Sequence, residues 1–166
     1  RGPASLIRSL DLELPSAAFN GGILILPDLT VRSKHVLAQS SVEAALEIIE
    51  ANKADAWIYR GEDWYVRDQS TPHVKHEEKV LQFSAEVVPD FSGLTTEVNK
   101  LVAVSDDQNM MKALNAALQT KIGKESSATF SQTYYIDVTP LKANKGDVVD
   151  HLCELLTIPA SSVTTL

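Results

Sequence analysis

The segment Lys145–Leu156 is the most regular part of the sequence, and it constrains the fold more than any other. Its apolar residues recur at the three- and four-residue spacing of an amphipathic helix. They are Val148, Val149, Leu152, Leu155 and Leu156. Asn144 stands at the N-cap position and Pro159 lies beyond the last turn, as is common at helix boundaries. Such a helix requires a second layer against which its apolar face packs.

Helix and strand patterns alternate along the rest of the chain. Further helices are predicted over residues 3–10, from a cap at Ser40 or Ser41 to 49, over 73–83, and from a cap at Asp106 to 118. Strands are predicted over residues 16–20, 22–27, 29–37, 56–60, 64–67, 99–104, 128–130 and 134–138, with another beginning at Ser161. Residues 56–67 read as a hairpin, and the whole alternation predicts an α/β fold.

Charge and composition narrow the classes of function. The 166 residues include 15 Lys and Arg against 22 Asp and Glu, a net charge of −7, and no window concentrates the basic residues, so we expect no nucleic acid partner. The most apolar short run, residues 22–27, is too short to cross a membrane, so no membrane partner is expected either. The single Cys153 cannot form an internal disulfide, which favours a cytoplasmic location. The chain starts with Arg1, so we expect both of its ends to be cut edges.

The start of the last helix is a candidate anion site. The sequence Asn-Lys-Gly-Asp at residues 144–147 combines free helix-terminal N–H groups with the positive charge of Lys145. The same residues also fit a plain helix cap, in which Asp147 replaces the usual Glu and Lys145 is an exposed bystander. Spacing alone favours the plain cap, because caps of this kind are common.

The glycine turn at residues 20–22 is a second candidate. It follows a predicted strand, and ligands of open α/β sheets bind at the carboxyl ends of strands. The residues by themselves favour a plain turn that needs a positive φ angle. Other chemistry is weakly supported: His73 and His76 lack a third metal ligand nearby, and Cys153 reads as a small core residue. No catalytic triad, zinc spacing or phosphate-binding glycine loop can be assembled, and no metal ligand is predicted in the chain.

Several segments, taken in order, resemble a Cof-type phosphatase of the haloacid dehalogenase superfamily, in the subfamily (IIB) with a large α/β cap of the C2 type. They are Arg1 with the helix 6–10, Ala-Phe-Asn-Gly-Gly at 18–22, Tyr-Ile-Asp-Val-Thr-Pro at 135–140 and Asn-Lys-Gly at 144–146. The resemblance implies an incomplete Rossmann-like core, formed by residues 1–37 and 141–166. It also implies an inserted cap over residues 38–140.

The resemblance also implies roles for particular residues. Lys145 is expected to be catalytic, while Asn20, Gly21, Arg1 and Asn144 are expected to bind the phosphate or substrate. The family's Asp-x-Asp segment, which supplies the nucleophile and the general acid, is expected before the first residue of this chain. Its Gly-Asp-x-x-Asn-Asp magnesium motif is expected after the last residue, so the ligands of the Mg²⁺ cofactor are expected outside this chain.

The function that follows is magnesium-dependent hydrolysis of a phosphate monoester through an aspartyl-phosphate in the complete protein. The expected partner is a small phosphorylated metabolite, such as a sugar phosphate. Two alternatives stay open: a non-catalytic binding or interaction domain, and a phosphosugar mutase of the same superfamily. The residues carry no signal for an oligomeric state.

Overall fold

The structure, a computed structural model, describes residues 7–8 and 10–164. Most of the predicted helix 3–10 and the residues after 164 lie outside this range. The described residues form two β-sheets and four α-helices. One sheet lies within residues 16–34 and the other within 55–140. The division into core and cap at residues 37 and 140 stays a prediction.

The first sheet is a small antiparallel one with the order β1-β2-β3. Its strands are β1 (Ser16–Ala18), β2 (Ile23–Ile25) and β3 (Val31–Lys34), each shorter than the sequence predicted. A 3₁₀ turn, Phe19–Gly21, separates the first two. Ile7, Ile23 and Ile25 form a small buried cluster beneath the sheet.

The second sheet has six strands in the order β6-β5-β4-β7-β9-β8. They are β4 (Asp55–Arg60), β5 (Asp63–Val66), β6 (Glu86–Val87), β7 (Lys100–Val104), β8 (Ser126–Gln132) and β9 (Tyr135–Pro140). All pairs are antiparallel except β5 with β6. The predicted β4–β5 hairpin is confirmed.

Two helices, α1 (Gln39–Ala51) and α3 (Gln108–Ile122), cover one face of this sheet. Their apolar stripes and the alternate residues of the strands make the main core. Its helical members include Val42, Ala45, Ile49, Met111, Leu114 and Leu118, and its strand members include Ile58, Leu101, Ile136 and Val138. The predicted stripes are confirmed, except that Ile48 and Met110 are only half-buried.

The opposite face of the six-stranded sheet carries most of the aromatic residues. Helix α2 (Pro72–Leu81) covers part of it through the buried Val74. The buried side chains there are Trp57, Tyr59, Trp64, Val66, Val102, Val104 and Tyr135. Phe19, from the turn of the first sheet, also packs on this cluster, with its ring 5.9 Å from that of Tyr59. The two sheets therefore meet at this face.

The caps of α1 and α3 differ from the predicted ones. Helix α1 begins at Gln39 without a side-chain cap, because Ala38 occupies the N-cap position. Ser41 lies inside the helix, and its buried hydroxyl donates to Glu125 at 3.2 Å. Ser40 is not the cap either, since it lies inside the helix. Helix α3 is capped by Asp107, whose Oδ1 accepts from the N–H of Met110 at 2.9 Å. The predicted Asp106 cap is wrong, since that carboxylate pairs with His73 instead.

The last helix, α4 (Lys145–Leu156), has the predicted bounds and the predicted Asn144 cap. The prediction that its apolar residues face inward is only partly right: none of the helix residues is fully buried, and Leu155 is exposed. Helix α4 packs on the turn of the first sheet and on the 3₁₀ turn that follows the helix. The strand predicted from Ser161 is also wrong, because a 3₁₀ turn forms at Ala160–Ser162, closed by the Ser162 N–H to the Pro159 carbonyl.

No helix in the described part of the chain is both long enough and apolar enough to span a membrane.

Candidate functional site

The turn between β1 and β2 is strained and tightly packed. Phe19, Asn20 and Gly21 have successive positive φ angles of 53°, 57° and 97°, a region that disfavours side chains. A β-carbon at Gly21 would lie 2.5 Å from Cγ2 of Val148 and 2.9 Å from the carbonyl oxygen of Asn144. Only glycine therefore fits here, and the turn lies directly against the N-terminus of α4.

The N-terminus of α4 is fixed by its cap. Oδ1 of Asn144 accepts the N–H of Asp147 at 2.9 Å, and Nδ2 of Asn144 donates to the carbonyl of Leu141 at 3.4 Å. Lys145, the first helical residue, is exposed. No acceptor among the described residues bonds the N–H of Lys145 or Gly146. Two backbone donors, a lysine and the helix dipole therefore favour an anion beside the turn.

The residues predicted for the site are partly brought together. Asn20 and Gly21 lie in the turn, and Asn144 and Lys145 begin the helix that packs against it. Arg1 lies outside the described residues.

The weaker candidates do not join this site. His73 Nε2 lies 2.9 Å from Oδ1 of Asp106 and its ring stacks on Tyr134, a structural pairing at the start of α2. The described residues hold no group of three or more His, Cys, Asp and Glu that could bind a metal ion. Cys153 is half-buried on α4.

Asp137 is a site residue that the sequence reasoning did not single out. It lies on β9 with only 5% of its surface exposed, facing the turn. Its Oδ2 accepts from Asn20 Nδ2 at 3.4 Å and from Lys100 Nζ at 3.3 Å. Its Oδ1 accepts from the hydroxyl of Ser131 at 2.9 Å. The sequence does contain one indication of its role: it is a carboxylate inside an otherwise uncharged strand, and a buried carboxylate requires hydrogen-bonding partners.

Lys100 and Tyr59 extend this cluster along the sheet. The Lys100 ammonium lies 4.9 Å from the centre of the Tyr59 ring, and the Tyr59 hydroxyl donates to Oε1 of Glu77 at 3.4 Å. Burial, with a smaller contribution from Glu77, raises the pKa of Tyr59 well above its ordinary value. Burial likewise raises the pKa of Tyr135. Both phenols are therefore neutral at physiological pH.

Two cavities adjoin this cluster. The larger, about 620 Å³, lies between the N-terminal segment and the aromatic face, and its lining is mainly apolar. The smaller, about 200 Å³, lies over β4, β7, β8 and β9 and includes Asp137 and Ser131 in its walls. Tyr59, Glu77 and Lys100 line both. These three residues form a wall, here called the shared wall, that can present a cation, a carboxylate and an aromatic ring to a ligand.

A family model of haloacid dehalogenase-like hydrolases matches residues 2–166 of the sequence. The chain therefore belongs to the haloacid dehalogenase-like hydrolase family, and the resemblance inferred from the sequence is confirmed. No curated protein sequence matches the chain.

Solved structures agree on the α/β fold. A haloacid dehalogenase-like hydrolase from Bacteroides thetaiotaomicron superposes with a TM-score of 0.82 at 19% identity, over 93% of this chain and 59% of that one. A haloacid dehalogenase-like hydrolase from B. subtilis gives 0.73 at 15% identity, over 93% and 63%. A second Bacteroides thetaiotaomicron protein, described among phosphatases of the superfamily, gives 0.63 at 17% identity, over 84% and 50%. This chain thus spans about 59% of the first of these structures.

Proposed function

We propose that this chain is part of a phosphatase that hydrolyses the phosphate monoester of a small phosphorylated metabolite. The observation that supports the proposal is the contact of Gly21 with Asn144 and Val148, which packs the turn that contains Asn20 against the first turn of the helix that begins at Lys145. Membership of the hydrolase family supports it. So does the likeness to a protein described among phosphatases.

The residues of this chain would bind the phosphoryl group and neutralise its charge. Lys145 and the helix-terminal N–H groups are expected to contact the phosphoryl oxygens, where they stabilise the charge of the transition state. Asn20, in the turn, is expected to contribute its side-chain amide, one hydrogen of which is donated to Asp137. The attacking carboxylate, which would form an aspartyl-phosphate that water then hydrolyses, is expected in the part of the protein outside this chain.

Among the residues that the structure describes, none form the magnesium site that the family resemblance implies. Mg²⁺ prefers carboxylate and water oxygens. Asp137, the carboxylate on β9 that bonds the turn, already accepts hydrogen bonds from three side chains, one of them the ammonium of Lys100. We therefore place the metal ligands outside this chain and assign no step here to the metal.

The aromatic face is proposed to hold the leaving group of the substrate. The smaller cavity lies next to the turn through one of its wall residues, because Asp137 lines it and also accepts a hydrogen bond from Asn20. Its volume of about 200 Å³ suits a metabolite of a few carbon atoms rather than a polymer. A phosphate at the turn would thus leave the rest of the substrate against Lys100 and Glu77.

The test is a comparison of two lysine variants in the complete protein. Lys145→Ala should lower kcat for p-nitrophenyl phosphate by about two to three powers of ten, the usual cost of losing one charge-stabilising contact. Lys142→Ala, an exposed lysine in the loop just before the helix, is the matched control and should stay within about twofold. Circular dichroism should show both variants folded.

Near-normal turnover of Lys145→Ala would reject the assignment. Product analysis then separates the alternatives: release of free phosphate supports a phosphatase, whereas an isomerised sugar phosphate would make the protein a mutase. If the unmodified complete protein shows no turnover, the remaining alternative is a non-catalytic binding or interaction domain.

A further inference from the structure

Asp137 is a buried carboxylate whose position requires an explanation. Removing a carboxylate from water costs several kcal/mol unless partners compensate, so a polar position in a buried strand is retained only with good partners. Here the partners come from three separate elements: Lys100 on β7, Ser131 on β8 and Asn20 in the turn. Two of them belong to the same sheet as Asp137, but the third belongs to the other sheet.

The bond to Asn20 fixes the direction of that side chain. Asn20 sits in a left-handed conformation next to Gly21, so its backbone is held by the packing of the turn on α4. Its amide Nδ2 donates one hydrogen to Asp137 at 3.4 Å. Because the amide group is planar, that hydrogen bond also fixes the directions of the second amide hydrogen and of the carbonyl oxygen.

The same carboxylate also holds the Lys100 ammonium. One of the three donors of Lys100 is directed at Asp137, and the ammonium lies over the Tyr59 ring on the shared wall. Without the carboxylate, a flexible four-carbon side chain would point freely into either cavity. Ser131 donates to the other carboxylate oxygen and so prevents Asp137 from rotating.

We infer that Asp137 is a positioning residue, which orients the Asn20 amide toward the phosphoryl group and holds Lys100 against the leaving group. The inference rests on the proposed function. Its physical consequence is coupling: the Asn20 bond exists only while the six-stranded sheet lies against the turn, so the amide is oriented only then. A purely structural ion pair between Asp137 and Lys100 would affect stability but would not act through Asn20.

The first experiment reads the orientation of Asn20 without using activity. In ¹⁵N NMR spectra of the complete protein, the side-chain amide peaks of Asn20 are identified by their loss in Asn20→Ala. Asp137→Ala should shift these peaks, because it removes their acceptor. Asp55→Asn, which changes an exposed carboxylate at the start of β4, is the control and should leave them in place.

Unmoved Asn20 peaks in Asp137→Ala would overturn the inference. If that variant does not fold, Asp137→Asn is read in the same way. Its amide keeps the size of the side chain but removes the negative charge, so the Asn20 peaks must again move.

The second experiment is a double-mutant cycle on kcat. Asn20→Ala and Asp137→Ala should each lower kcat by roughly tenfold, the usual effect of a hydrogen bond to a charged group. If Asp137 acts through Asn20, the double variant should lose clearly less than the roughly hundredfold product of the two single losses, and any loss beyond about tenfold is the part of the Asp137 effect that acts through Lys100. Asp137→Asn keeps an acceptor oxygen and should recover part of the rate.

Multiplicative losses in the cycle would overturn the inference, because they would show that the two residues act independently. Failure of the proposed function would look different. In that case Lys145→Ala would leave turnover unchanged, while the Asn20 peaks would still respond to Asp137.

Discussion

Replacing Gly21 by alanine tests the contact on which the site depends. The φ angle of +97° at Gly21 costs a residue with a β-carbon about 1–2 kcal/mol. The new carbon would also lie 2.5 Å from Cγ2 of Val148 and 2.9 Å from the carbonyl of Asn144, so α4 must move away. Overpacking of this kind costs about 1–3 kcal/mol. The free energy of unfolding should therefore fall by about 2–5 kcal/mol.

Alanine variants of two other glycines separate the cost of backbone strain from the cost of steric overlap. Gly61 has a φ of +63°, and a β-carbon there would meet no described atom within 4 Å, so Gly61→Ala should cost only the strain, about 1–2 kcal/mol. Gly22 has a φ of −67° and its nearest neighbour would lie at 3.1 Å, so Gly22→Ala should cost less than Gly21→Ala. Urea denaturation followed by circular dichroism measures all three. A loss for Gly21→Ala no larger than that for Gly61→Ala would refute the contact between turn and helix.

Three further predictions concern stability. Asp107→Ala should lower the free energy of unfolding by about 1 kcal/mol, because it removes the cap of α3, while Asp106→Ala should change it little; thermal melts compare them. Leu114→Ala should cost about 2–5 kcal/mol in urea denaturation, since Leu114 is fully buried. Above about pH 10 the free energy of unfolding should fall, because the unfolded chain loses tyrosine protons that Tyr59 and Tyr135 retain when folded; Tyr59→Phe should reduce that fall in melts at alkaline pH.

The secondary structure followed from local patterns to a large extent. The helical period placed α4 at its observed bounds and gave the buried stripes of α1 and α3. Cap positions were less predictable, because neighbouring polar residues compete for the same backbone donors. Asp106 and Asp107 both fit a cap by composition; in the structure Asp107 caps the helix and Asp106 pairs with the distant His73. Periodicity also shows which side of α4 is apolar, but not how much of that side is covered.

Part of the candidate site could be predicted from the sequence. The glycine turn and the start of α4 carry local signals, so Asn20 and Lys145 could be named in advance. Asp137 and Lys100 could not, because they meet only through the register that pairs β7 with β9, across 37 positions of sequence. A burial argument finds such a carboxylate once the strand is known, whereas its partners require the assembled sheet.

The tryptophans of the chain can report on the smaller cavity by their fluorescence. Its two tryptophans, Trp57 and Trp64, lie with ring centroids 5.2 Å apart on the aromatic face. Trp57 lines the smaller cavity, while Trp64 is sealed beneath neighbouring rings. Indole emission depends on local polarity, so a compound that fills this cavity should change the fluorescence of the tryptophan pair. Titration with unlabelled small molecules can thus detect the filling of this cavity by intrinsic fluorescence.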